Sequence, residues 1–180
     1  GGKVTVATPI TYETTGDYKK QMLTISENEG TVDINAAVEE LIIAENKADV
    51  NINANVTFVG ENANSNKNLE NAVITIAKGA TVNAAGKLTN AGVNYYEERD
   101  AAEYAVINNN GRINNLVNRD WGMVVAAEGS ITHANSNSGE GSIIDIATLD
   151  TEWNVRDNDK GIISYTAKDE VALLDVIESK

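Results

Sequence analysis

Asp120 and Asp145 are the two carboxylates that would have to act together if this chain cleaved a glycosidic bond. That chemistry needs a pair of acids about 5–9.5 Å apart, one to protonate the leaving oxygen and one to attack or to activate water. Asp100, Glu128 and Asp150 are also available. No motif joins any of these residues, and the chain holds 27 acidic residues in all, so an acid in a suitable place carries little information. Aromatic residues are scarcer, at 5% of the chain, and several fall in loop-like stretches: Tyr95, Tyr96, Trp121 and Trp153. A flat ring beside Asn and Asp side chains can stack on a sugar face while the polar groups fix its hydroxyls. The competing reading is that Trp121 and Trp153 cover the flank of the fold.

Asp157-Asn158-Asp159-Lys160-Gly161 alternates oxygen ligands before a glycine, as a hard cation requires. Ile162-Ile163 follow where a calcium loop needs further oxygen ligands, so Asp157 and Asp159 read first as an ordinary Asp/Asn/Gly turn. His133 is the single histidine and sits in a repeated phrase (SITHAN) where other repeats carry Asn. A Ser-His triad and a histidine-rich zinc site therefore lack support. Cysteine is absent, which removes disulfides and thiolate chemistry. No cofactor is expected.

What could position these residues is a repeat. Val106, Gly111 and Ile113 recur as Val124, Gly129 and Ile131, each 18 residues on. Ile143–Ile146 and Ile162–Tyr165 follow at steps of 19. A longer step of 32 relates Val50-Asn51 to Val82-Asn83 and Val56-Thr57 to Leu88-Thr89, with insertions at 61–71 and 95–103. A fixed step with a glycine turn inside it is the signature of a β-solenoid. The 24 asparagines suit its corners, because Asn tolerates left-handed conformations, and they can stack into amide ladders one strand apart. Val and Ile total 34 against 8 Leu, which again favours strands. The core is expected at Val50, Ile52, Val56, Phe58, Val73, Ile74, Ile76, Val82, Leu88, Val106, Ile113, Val124, Ile131, Ile144, Ile146 and Ile163. A one-residue slip would turn any of these outward.

Lys3–Ile10 and Gln21–Ser26 read as an N-terminal edge hairpin, because Pro9 interrupts the first run. Asp169–Lys180 carries a helical stripe of Val171, Leu174 and Ile177, read as a short C-terminal helix over the open end of the last coil. The whole chain is then one domain: a hairpin cap over 1–30, coils over 31–165 and the helix over 166–180.

The net charge of −13 argues against nucleic acid, and no apolar run approaches a membrane span. Gly1-Gly2 looks like a trimmed start, so a missing secretion signal says nothing. Further domains in the natural chain are an open expectation.

At Ala80–Gly92 (ATVNAAGKLTNAG), Asn109–Asn115 (NNGRINN) and Glu128–Asn135 (EGSITHAN), the chain resembles right-handed parallel β-helices of the pectin-lyase-like group. The Gly-x-apolar-x-Asn phrase around Leu88, Ile113 and Ile131 is also similar to bacterial surface and autotransporter adhesin solenoids. This resemblance implies an all-β, single-stranded right-handed parallel β-helix, in a secreted or surface protein of Bacteroides type. It places Arg119 or Arg112 as a proton-abstracting base if the chain were a lyase. It does not fix activity, since such families hold both enzymes and adhesins. The expectation is a non-enzymatic extracellular or cell-surface module, structural or adhesive, with a polysaccharide or surface glycan as partner. A carbohydrate-active enzyme, lyase or hydrolase, is the second reading.

Overall fold

The computed structural model describes residues 2–10, 22–95, 102–148 and 150–165, which form an all-β parallel solenoid. The first coil carries β1 (Lys3–Val6) and β2 (Leu23–Asn28), with Ile10 bridged to Val38 between them. The second carries β3 (Thr31–Ile34) and the long β4 (Val38–Asn46). In the third are β5 (Asp49–Ile52), β6 (Val56–Phe58) and β7 (Asn66–Asn68). The fourth has β8 (Val73–Ile76), β9 (Thr81–Asn83) and β10 (Leu88–Ala91). A small hairpin, β11 (Val93–Asn94) with β12 (Ala102–Glu103), then leaves the solenoid. Three coils follow: β13 (Ala105–Asn109) with β14 (Arg112–Arg119), β15 (Gly122–Ala126) with β16 (Ile131–Ser138), and β17 (Ile143–Ile146) with β18 (Glu152–Val155). Finally β19 (Ile162–Tyr165) opens an eighth.

One sheet stacks β1-β3-β5-β8-β13-β15-β17-β19, parallel throughout. The second sheet has two faces. On one, the front half of β4 pairs with β6, then β9, then the front of β14. On the other, the back half of β4 pairs with β7, then β10, then the back of β14. β14 and β16 run through both faces, and Asn115 sits at φ 58 where β14 bends. Three rows of strands thus enclose one core. Alternation makes it dry: β3, β8 and β17 each present every second residue inward, and Val32, Val50, Ile74, Ile107, Val124 and Ile144 lie one above another with almost no exposure.

Where the second sheet turns back toward the first, the core is closed by amides rather than by aliphatics. Asn28, Asn46, Asn68, Asn90, Asn118, Asn137 and Asn158 stack one per coil. Each Nδ2 donates to the Oδ1 of the next, at 2.7, 2.7, 2.8, 2.8, 2.8 and 2.9 Å. The other amide hydrogen goes to a backbone carbonyl, as from Asn46 to Ala48 O (2.9 Å) and Asn118 to Gly122 O (3.0 Å). Six of the seven are buried, so the ladder satisfies polar groups that water cannot reach.

Several expectations need correction. The N-terminal strands do not pair with each other as a hairpin: β1 lies parallel on β3 and β2 parallel on β4, so this segment is itself a coil. Pro9 falls between β1 and the Ile10 bridge, outside any ladder. The 32-residue step also fails, because Val50 lies over Ile74 and Val56 over Val82, spacings of 24 and 26. Extra residues between β6 and β7, and the hairpin of β11 and β12, stretch the early coils; the expected insertion at 61–71 itself contains the ladder strand β7. Val73, Val106 and Ile131 face outward, since Ile74, Ile107 and Thr132 take the inward positions. Ile163 points inward beneath Ile144 and packs on the core. The helix expected over 166–180 lies outside the described residues.

Charged side chains line the outside of the second sheet. Lys67 meets Glu45 at 2.8 Å, and Lys47 bridges Glu27 and Glu45 (3.5 Å to the latter). The Lys67 ammonium holds the Glu45 carboxyl below its ordinary value of 4.5. A carboxylate with a lowered folded pKa contributes stability above its unfolded pKa and loses it as pH falls through the folded one. Acidification below pH 4.5 is therefore expected to lower the melting temperature. Part of that sensitivity should vanish in Lys67→Met, which an acid series of melts would measure. An identical acid slope in both proteins would remove the pair from the account.

Candidate functional site

A group of aromatic and acidic side chains sits at the corner where β11 and β12 leave the solenoid. Asn71, with φ 61, turns the chain into β8, and its N–H donates to Tyr104 O at 2.9 Å. Its side-chain Nδ2 donates to Glu103 Oε2 at 2.8 Å, which ties the base of the hairpin to the coil above. Tyr95, just past β11, is 64% exposed, and its hydroxyl lies 3.5 Å from Glu70 Oε1. The Glu70 charge, then burial of the phenol and the Glu103 charge, raise the Tyr95 pKa, so the ring stays neutral further into alkaline solution.

One coil on, Asp120 (φ 34) and Trp121 (φ 58) make a tight left-handed corner between β14 and β15. Two non-glycine residues in this region carry a conformational cost, which the neighbouring coils hold in place. Asp120 N–H donates to Ser138 O (3.0 Å), Trp121 N–H to Glu140 O (2.9 Å), and Trp121 O accepts from Ala105 N (3.3 Å). The half-buried indole packs edge-on against Tyr104, with centroids 5.7 Å apart and planes at 73°. Its other flank rests on Gly141, where any Cβ would run into the ring. On successive coils this corner thus carries an exposed phenol beside two carboxylates and then an indole fixed on a second ring. Such a group can stack on the apolar face of a polyol and accept hydrogen bonds from its hydroxyls.

The other sequence candidates lie elsewhere. Trp153 is on β18, facing inward over Thr132, and packs against the core. Asp145 lies on the outer face of β17, accepts a hydrogen bond from Ser164 Oγ at 2.6 Å, and pairs with Val125. Asp120 lies at the corner before β15, whereas Asp145 stands opposite Val125 in the second half of that strand. Arg119 is engaged, with Nη2 donating to Asn64 Oδ1 at 3.1 Å and Nε 3.9 Å from Asp120 Oδ2. Asp157 and Asp159 are exposed and use backbone carbonyls to accept from Asn137 and Gly139 (2.8 and 2.9 Å). Among the described residues no group of three or more His, Asp or Glu is placed to hold a metal. His133 faces out, with Nε2 3.0 Å from Glu152 Oε1. Tyr96 lies outside the described residues. Glu70, Glu103 and Tyr104 were not anticipated, because only the fold brings residues 70, 95, 104 and 121 to one corner. No helix among the described residues is long and apolar enough to cross a membrane. Comparison with family models, with curated proteins and with solved structures found no match.

Proposed function

We propose that this chain is a non-enzymatic module of a secreted or cell-surface protein, a stiff spacer that bears an adhesive, glycan-binding corner. The observation that carries the reading is the exposed Tyr95 beside Glu70, one coil from the Trp121 indole packed on Tyr104. Its resemblance to pectin-lyase-like and adhesin solenoids supports the same assignment. Net charge of −13 favours a neutral glycan over a polyanionic one, since a polyanion would be repelled. Stiffness follows from continuous strand and amide ladders, in which each coil is bonded to both neighbours.

A glycan array followed by calorimetry tests this directly. Neutral oligosaccharides should bind, and Tyr95→Ala should weaken binding about tenfold, equivalent to losing one stacking contact of roughly 1.4 kcal/mol. The variant should melt like the parent, because Tyr95 is mostly in solvent. Degradation of a polysaccharide in a parallel screen would favour the carbohydrate-active enzyme instead. No binding to any glycan would reject the adhesive half of the proposal.

A further inference from the structure

The first coil lies at one end of the described solenoid. β1 is the terminal strand of its sheet and β2 pairs with β4 alone, so each has an edge with no strand against it among the described residues. The phase of these edges follows from the hydrogen bonds already made. Gly2 O and Val6 O accept from Thr31 N and Asn35 N, so alternation turns the N–H and C=O of Lys3 and Thr5 toward the open side. On β2, Asn28 O accepts from Lys47 N, which leaves Glu27 facing the open side. The core is open here too. Val4 points inward above Val32 and Val50, yet is 46% exposed where they are 1% and 0%. A cavity of about 290 Å³ opens at this corner, with Lys3, Val4, Ile25, Glu27 and Glu29 among its walls.

The charges at this corner are arranged in two halves. Lys3, at the start of β1, keeps its side chain 65% exposed even while its ammonium reaches Asp33 at 2.7 Å. Glu27, already held by Lys47, and Glu29 stand at the end of β2, on the acidic half. β1 leaves the corner and β2 enters it. A two-fold axis through the corner therefore lays β1 antiparallel on β2 of another copy, and β2 on its β1. The same rotation sets Lys3 beside Glu27 and Glu29 of the other copy and Val4 over its Ile25.

We propose that this end is a self-association face that takes a second copy of the chain, coil against coil, with Lys3 opposed to Glu27 and Glu29. The occupant is set by self-complementarity: one edge supplies the base and the other the acids, and both supply unpaired backbone and an uncovered aliphatic residue. Isologous contacts of this kind close at the dimer and leave no free edge at this end.

Sedimentation of the full chain over a concentration series is the test. The wild type should pass from monomer to twice that mass. Thr5→Pro, which removes an N–H from the open edge and none from the β3 ladder, should stay monomeric with an unchanged melt. Lys3→Glu and Glu29→Lys should each be monomeric at wild-type dimer concentrations, and the double variant should recover the dimer. A wild type that is monomeric at every concentration overturns the proposal. So does a dimer that survives Thr5→Pro, or a double variant that stays monomeric while folded.

Discussion

Asn118→Ala should lower the free energy of unfolding by about 3–5 kcal/mol, as two or more buried polar groups at about 1–3 kcal/mol each lose their partners. Asn118 accepts from Asn90 and donates to Asn137, both at 2.8 Å, and it also reaches Gly122 O and Ile143 O. Truncation leaves the buried Asn137 side-chain oxygen without its donor, takes from Asn90 one of its acceptors, and removes the side-chain donor that two ladder carbonyls share. Asn154→Ala, on an exposed position of β18, is the control and should cost little. Urea midpoints with unchanged slopes would measure the difference. Equal midpoints for the two variants would mean that the ladder adds nothing beyond filling space.

Ile113→Asp should cost about as much, on the order of 3–5 kcal/mol, because it leaves an unpaired charge in the core. Ile113 has no exposed surface and lies between Val82 and Thr132 in adjacent coils. Ile131→Asp is the informative contrast. Repeat spacing alone places Ile131 with Ile113 in one inward row, whereas it pairs with Arg112 and faces out. Its replacement by Asp should therefore move the melt only slightly. If both variants unfolded the protein alike, the register of β14 against β16 would have to shift by one residue.

That slip shows what was legible and what was not. Alternating β-branched residues and glycine steps announce a parallel solenoid. They do not set the phase where both members of a pair are apolar, as in Val106-Ile107, Val124-Val125 and Ile143-Ile144. Hydrophobicity cannot choose between such neighbours, and a polar residue taking an inward place misleads it further. Thr132 is fully buried and satisfied by Asn109 Nδ2 at 2.8 Å, so the neighbouring Ile131 could be surrendered to the surface. The asparagines held the missing phase. Their ladder steps are 18, 22, 22, 28, 19 and 21 residues, too irregular to appear as a period. Of the aromatic candidates, Tyr95 and Trp121 share a corner while Trp153 belongs to the core, a distinction that depends on strand phase and not on residue type.

The amide column also has an electrical sense. Backbone bonds between parallel strands alternate in direction and largely cancel, but every rung from Asn28 to Asn158 donates the same way. Aligned amide dipoles, each about 3.5 D, sum along such a column as they do along a helix. The positive pole then lies at Asn158, and that residue is bracketed in the chain by Asp157 and Asp159. Two acids whose spacing suggested a cation loop are thus placed as counter-charges to the pole of an amide stack. Replacing either by Asn should be felt at that end of the molecule first, and the effect should fade as salt screens it.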